Sequence, residues 1–121
     1  LRKTFYMNIQ RFEDIIAWQK AKELTLRVYK TFMENRDYAF RDQIQRASVS
    51  IMNNIAEGFE RKGDKELQRF LYIAKGSAGE VRSMLYVARD LNYLTGDLFA
   101  ELLGLSEEIS KMLSGFIKSL K

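Results

Sequence analysis

Apolar residues recur every three or four positions through four long segments of the chain, and no stretch alternates with period two over strand length. The clearest pattern lies at 43–63, QIQRASVSIMNNIAEGFERKG. There Ile44, Ala47, Ser48, Ile51, Ile55 and Phe59 fall on one helical stripe, with Arg46, Ser50, Asn53 and Glu57 on the opposite side. Val49, Met52 and Ala56 sit between the stripes, where they would face water if this helix had only one partner surface. They are a first indication of self-assembly.

The neighbouring segments follow the same rule. A first helix is predicted from about Asp14, with Trp18, Ala21, Leu24, Thr25, Val28 and Phe32 inward and Lys20, Glu23, Arg27 and Lys30 outward. The aperiodic MENRD at 33–37 predicts a turn, since the side chains of Asn35 and Asp37 bond nearby backbone. The second helix runs to about Glu60, where Gly63 is expected to end it and Asp64 to cap the third. That third helix reaches about Leu91 on an inner face of Leu67, Phe70, Leu71, Ala74, Ala78, Val81, Leu85 and Ala88.

Its outer side carries Tyr72, Gly76, Gly79, Ser83 and Tyr86 at offsets of four, three, four and three. Glycine in a helix interior costs ~1 kcal/mol relative to alanine, so two on one stripe suggest that another backbone comes close. These five residues form the expected oligomer interface; the alternative is a set of unselected surface glycines. Asn92 suits a left-handed turn and Thr95 a cap for the fourth helix. Leu98, Leu102, Leu105, Ile109, Met112, Phe116 and Leu120 make the inner stripe of that helix, broadened by Phe99, Leu103 and Ile117. Glu107 and Lys111 are spaced for an i,i+4 ion pair. Four helices of similar length joined by short turns predict an all-α, antiparallel up-down-up-down four-helix bundle that oligomerises. It spans 13–121 behind a loose arm at 1–12, in which Met7 can serve as a native start.

Composition narrows the chemistry. The 121 residues fit one domain, with 46% hydrophobic and 30% charged residues. No apolar run approaches the ~18 residues of a membrane span and no leader pattern precedes the first helix, so a soluble, cytoplasmic protein without a membrane partner is expected. Proline, cysteine and histidine are absent. Disulfides, thiolate nucleophiles, imidazole bases and the usual zinc ligands go with them, and no catalytic residue, metal site or cofactor is expected. Lys and Arg number 20 against 16 Asp and Glu, a formal +4 with a sequence pI near 9.4. That excess permits a phosphate-rich partner without demanding one.

Three stretches carry a family resemblance: FEDIIAWQKAKELTLRVY at 12–29, QIQRASVSIMNNIAEGFERK at 43–62, and KELQRFLYIAKGSAGEVRSMLYVARDLNYL at 65–94. They resemble the four-helix bundle proteins encoded in intervening sequences of bacterial 23S ribosomal RNA genes, and NIAEG at 54–58 is the most specific piece. Family members typically carry a proline before that core, where Met52 stands here, and another near Glu34 in the first turn. Losing the first leaves helix two more continuous. The resemblance implies a four-helix bundle that assembles as a homopentameric ring, related to accessory proteins of diversity-generating retroelements. It implies no established enzymatic activity, and binding to RNA or DNA is the family's usual conjecture.

Two clusters invite a chemical reading. Arg41, Arg46, Arg61, Lys62, Lys65 and Arg69 gather around helix two and its exit. Of these, Arg61, Lys62, Lys65 and Arg69 are the candidate nucleic-acid contacts, because cationic side chains around a helix N-terminus suit phosphate oxygens. The alternative is an ordinary solvated turn. Asn53, Asn54, Glu57 and Glu60 suggest acid–base or metal chemistry, but a carboxylate pair without further ligands is weak, and Asn54 and Glu57 are read as cross-helix hydrogen-bonding groups that fix register. Trp18 and the phenylalanines could stack on bases, yet their core positions favour packing. Tyr72 and Tyr86 stand open between a subunit interface and a ligand surface. The expected function is a non-enzymatic, nucleic-acid-associated accessory bundle. Its alternative is a scaffold ring that docks a polymerase or RNA-processing protein.

Overall fold

The computed structural model describes residues 9–120. A 3-10 turn, Phe12–Asp14, leads into α1 (Ile16–Phe32), α2 (Tyr38–Glu60), α3 (Asp64–Asp90) and α4 (Gly96–Ser119). No strand occurs among the described residues. The arm expected over 1–12, with Met7, falls for residues 1–8 outside the described residues. Ile9 and Phe12 pack against the core.

The connections follow from local hydrogen bonding. Asn35 Oδ1 accepts from the Asp37 amide at 2.8 Å, and Asp37 in turn caps α2 by accepting from the Phe40 amide at 3.2 Å. Asn92 takes the left-handed conformation at φ 59°, and Thr95 Oγ1 accepts from the Leu98 amide at 3.1 Å. The start of α3 differs from expectation. Gly63 occupies the cap position at φ 86°, a backbone region that disfavours residues with a Cβ, and Asp64 is the first helical residue. Asp64 and Glu66 instead place negative charge in the first turn, where the helix dipole favours it.

All eight residues of the α3 inner face are buried, as are Ile44, Ala47, Ser48, Ile51 and Ile55 of α2. Three expectations shift, the first at Phe59 of the α2 stripe, which is only partly buried against the core. Trp18 is only partly buried, set edge-on to Phe12 at 5.2 Å between ring centroids with Lys22 Nζ 5.7 Å over its ring, because Ala17 and Ala21 take the inward positions beside it. On α4, Leu113 and Ile117 are buried, whereas Leu98 and Met112 sit at the edge.

Each helix packs on the next, and α4 returns to α1; among the described residues the diagonal backbones, α1 and α3 or α2 and α4, stay apart across the shared core. The α2–α3 seam is the most extensive and the α1–α4 seam the least. Gly58 explains part of that difference. A Cβ placed there would lie 2.6 Å from Phe70 Cβ, so the two backbones approach closer than any side chain allows. Ser50 and Ser77 hydroxyls meet at 2.9 Å along the seam, and Gln43 donates to Glu80 farther on. Arg27 pairs with Glu101 at 2.5 Å and Lys20 with Glu108 at 3.7 Å across α1–α4. Among the described residues no ion pair joins Glu107 to Lys111.

Buried polar groups tie helices together. Thr25 Oγ1 lies 2.9 Å from the Ala21 carbonyl and 3.1 Å from the Ser48 carbonyl, linking α1 to α2. At one end of the bundle, Tyr93 donates its hydroxyl to Asp37 at 2.6 Å, joining the two interhelical turns. Phe40 stacks edge-on between Phe32 and Tyr93, at 5.5 and 5.2 Å.

Candidate functional site

The outer side of α3 leaves several large apolar side chains open to solvent. Tyr72, Ile73, Tyr86, Val87 and Leu91 are each 42–58% exposed along it. Gly76 and Ser83 are exposed and Gly79 partly so. Among the described residues, and apart from the local α3 backbone itself, no atom lies within 4 Å of a Cβ built at Gly76 or Gly79, so no neighbouring helix accounts for these glycines. Tyr86 meets Phe99 of α4 edge-on at 5.4 Å, and the Arg89 guanidinium lies 5.1 Å from the first ring and 5.0 Å from the second. The five expected interface residues thus share one outward surface, framed by two tyrosines with a low, glycine-lined middle.

The corner between α2 and α3 brings Arg61, Lys62, Lys65 and Arg69 together, all exposed. Its cations are not equivalent. Arg61 pairs with Glu57 at 2.7 Å, and Arg69 with Glu66 at 3.3 Å. Both guanidiniums also lie over the buried Phe70 ring, at 5.0 and 4.7 Å. The hydrogen bond from Arg69 holds the Glu66 carboxyl below its ordinary range, and the same bond raises Arg69. Residues 57–69 hold four acidic and four basic side chains, leaving the corner formally neutral. Among the described residues, Lys62 and Lys65 have no carboxylate partner within ion-pair distance.

Asn54 and Glu57 do not reach across helices. Asn54 Nδ2 donates to the Ser50 carbonyl at 2.8 Å and to Ser50 Oγ at 3.0 Å, and it is Ser50 that crosses to Ser77. Glu57 turns along its own helix to Arg61. Among the described residues, no group of three or more acidic side chains is placed to hold a metal. An open groove of about 300 Å³ lies between the α1 start and the α4 end. It is lined by Ile9, Asp14, Ile16, Ala17, Met112, Gly115 and Phe116, a mostly apolar set with one carboxylate.

Residues 13–115 match the family model of the 23S rRNA-intervening sequence protein. The chain belongs to this family. A crystal structure from the same broad group supports the assignment: a protein of unknown function from the S23 ribosomal protein family of Bacteroides thetaiotaomicron VPI-5482. It superposes with a TM-score of 0.79 at 27% identity, over 84% of this chain and 98% of the other. No curated protein matches the chain. Membership in the intervening-sequence family agrees with the four helices and with the NIAEG stretch, whose Gly58 now has a packing reason. Among the described residues no helix is long and apolar enough to cross a membrane.

A second outer surface has no counterpart in the sequence expectations for this family member. Leu26 and Tyr29 of α1, with Met33 just past its end, are 42–63% exposed, on the side away from Leu24 and Val28. The signal was their spacing of three and four, the same used to find core stripes.

Proposed function

We propose that this 23S rRNA-intervening sequence family protein is a non-enzymatic, up-down-up-down antiparallel bundle that assembles with copies of itself through the outer face of α3. The assembly acts as a nucleic-acid-associated accessory in the cytoplasm. The exposed face from Tyr72 to Leu91 carries the reading. Soluble monomers rarely leave so long an apolar surface in water, and such patches mark interaction sites. Antiparallel order is supported by the seam partners, since moving up α1 from Lys20 to Arg27 moves down α4 from Glu108 to Glu101. Pentameric number rests on the family resemblance.

The nucleic-acid part is electrostatic. Each copy carries a formal +4, and symmetry repeats Lys62 and Lys65 at equivalent positions, so individually weak phosphate contacts act together. Arg61 and Arg69 contribute less than their charge suggests, because each is held by a carboxylate and by Phe70. Titrating labelled single-stranded RNA into the assembly tests this. Binding should weaken steeply between ~50 and ~200 mM salt with little sequence preference. Lys62→Glu with Lys65→Glu should lose most of it while the assembly mass stays unchanged. An assembly that ignores RNA and DNA at low salt would replace this reading with the scaffold ring for a polymerase or RNA-processing partner.

A further inference from the structure

Three of the four seams between neighbouring helices are closed by a turn as well as by packing. Residues 33–37 join α1 to α2, 61–63 join α2 to α3 and 91–95 join α3 to α4, whereas α1 and α4 meet with no connection between them. α1 and α4 also share the least extensive seam. Parting them strains no turn and gives up less packing than parting any other neighbours.

The ties across the seams differ in the same sense. α1 holds α2 through the buried Thr25 hydroxyl, 3.1 Å from the Ser48 carbonyl. α2 holds α3 through the Ser50–Ser77 hydroxyl pair and the close approach at Gly58. α3 holds α4 where Gln68 Nε2 donates to the Ile117 and Leu120 carbonyls, at 3.3 and 3.4 Å, and where Tyr86 meets Phe99. Among the described residues, the polar ties from α1 to α4 are two ion pairs at the rim, Arg27–Glu101 and Lys20–Glu108, with all four side chains reaching solvent. Exposed pairs of this kind add little to stability, because water and salt screen them. One end of the seam is already parted, since the groove of about 300 Å³ is lined by Ala17 of α1 and by Met112 and Phe116 of α4.

We propose that the bundle opens along the α1–α4 seam, from the groove toward the Arg27–Glu101 pair, while the other three seams stay packed. α1 remains on α2 and α4 remains on α3, so the molecule parts like a book whose spine is the α2–α3 seam. Ala21 and Leu24 of α1 and Leu102 and Ile109 of α4, all fully buried in the closed bundle, are uncovered by this motion. Partial openings of this kind cost less than global unfolding and decide which elements of a fold can move. The closed bundle thus hides an apolar cleft that only this conformational change exposes.

Thiol labelling tests the opening in the full chain, which has no cysteine of its own. Ala21→Cys reports on the α1–α4 seam. Ala47→Cys reports on the α2–α3 seam, because Gln43 and Ser50 on either side of it along the helix both bond to α3. Both alanines are buried, so either thiol reacts when the structure opens around it. With each rate divided by that of the urea-unfolded chain, Ala21→Cys should label on the order of tenfold faster than Ala47→Cys. Adding Gly58→Ala then separates partial from global opening. Its overpacked contact lies in a seam that stays closed when α1 and α4 part. Gly58→Ala should therefore speed Ala47→Cys by on the order of tenfold and leave Ala21→Cys within about twofold. Leu24→Cys, between Lys20 and Arg27 on the same face of α1, is a second reporter of the α1–α4 seam, and circular dichroism checks that each variant is helical. Equal labelling at the two seams, sped alike by Gly58→Ala, would mean that the helices come apart only together and would overturn the proposal. Faster labelling at Ala47→Cys than at either α1 reporter would overturn it as well.

Discussion

Adding one methyl group at Gly58 should destabilise the bundle more than its size suggests. The new Cβ would stand 2.6 Å from Phe70 Cβ, 3.2 Å from Leu67 Cδ1 and 3.4 Å from the Leu67 carbonyl oxygen. Carbon atoms rest ~3.5–4.0 Å apart, so the first contact is short by about 1 Å. Phe70 Cβ is fixed to the α3 backbone and no rotamer change moves it, which forces the α2–α3 seam to open. Overpacking of this kind costs ~1–3 kcal/mol, with the upper end fitting a contact between two Cβ atoms. Alanine returns ~1 kcal/mol through its better helix propensity, leaving a net loss of about 2 kcal/mol. At this chain length that lowers Tm by roughly 8 °C. Gly104→Ala is the control, since its Cβ would meet nothing within 4 Å. It should gain ~1 kcal/mol from propensity alone. Urea unfolding followed by circular dichroism reads both, as a shift in midpoint at unchanged slope. A Gly58→Ala chain as stable as the Gly104→Ala chain would refute the close approach of α2 and α3.

Further outcomes follow from other contacts. Trp18→Ala should cost about 2–3 kcal/mol in urea unfolding, below the ~3–5 typical of a sealed aromatic ring, because Trp18 is only partly buried beside Phe12; a loss above that range would place the ring fully inside. Asp37 has its carboxyl pKa lowered first by the Tyr93 hydroxyl and then by the Phe40 amide. A lowered folded-state value means that its stabilisation is present above the unfolded carboxylate pKa and is lost as pH falls through the folded one. Tyr93→Phe should therefore raise the Asp37 pKa toward its ordinary value in a carboxyl NMR titration and weaken that acid dependence, while the Phe40 contact keeps part of the shift. An unchanged Asp37 titration would contradict the bond between the two turns.

The sequence was most legible where burial follows helical period and least where the reason for a residue lies in another segment. Leu67 through Ala88 could be read position by position, because a long helix in one groove keeps one face inward for its whole length. Gly58 looked like any helical glycine, since what selects it is Phe70, twelve residues away on α3. Gly63 and Asp64 mark the right turn in the sequence, but a side-chain cap and a positive-φ glycine cap both produce Gly-Asp at that boundary. Glu57 lies four residues before Arg61 and Glu66 three before Arg69, spacings that announce the pairs later seen and the neutral balance they bring. The exposed α1 surface was masked by its proximity to a core stripe of the same helix, which took up the apolar periodicity.

Self-association is the claim on which the rest depends, and sedimentation equilibrium of the unmodified chain at micromolar concentration tests it most directly. One chain has a mass of 14.2 kDa. A single species at a fixed multiple of that mass, unchanged on dilution through the micromolar range, is the predicted result, with fivefold the value that the family resemblance implies. A sample that sediments at 14.2 kDa throughout would contradict assembly through the α3 face.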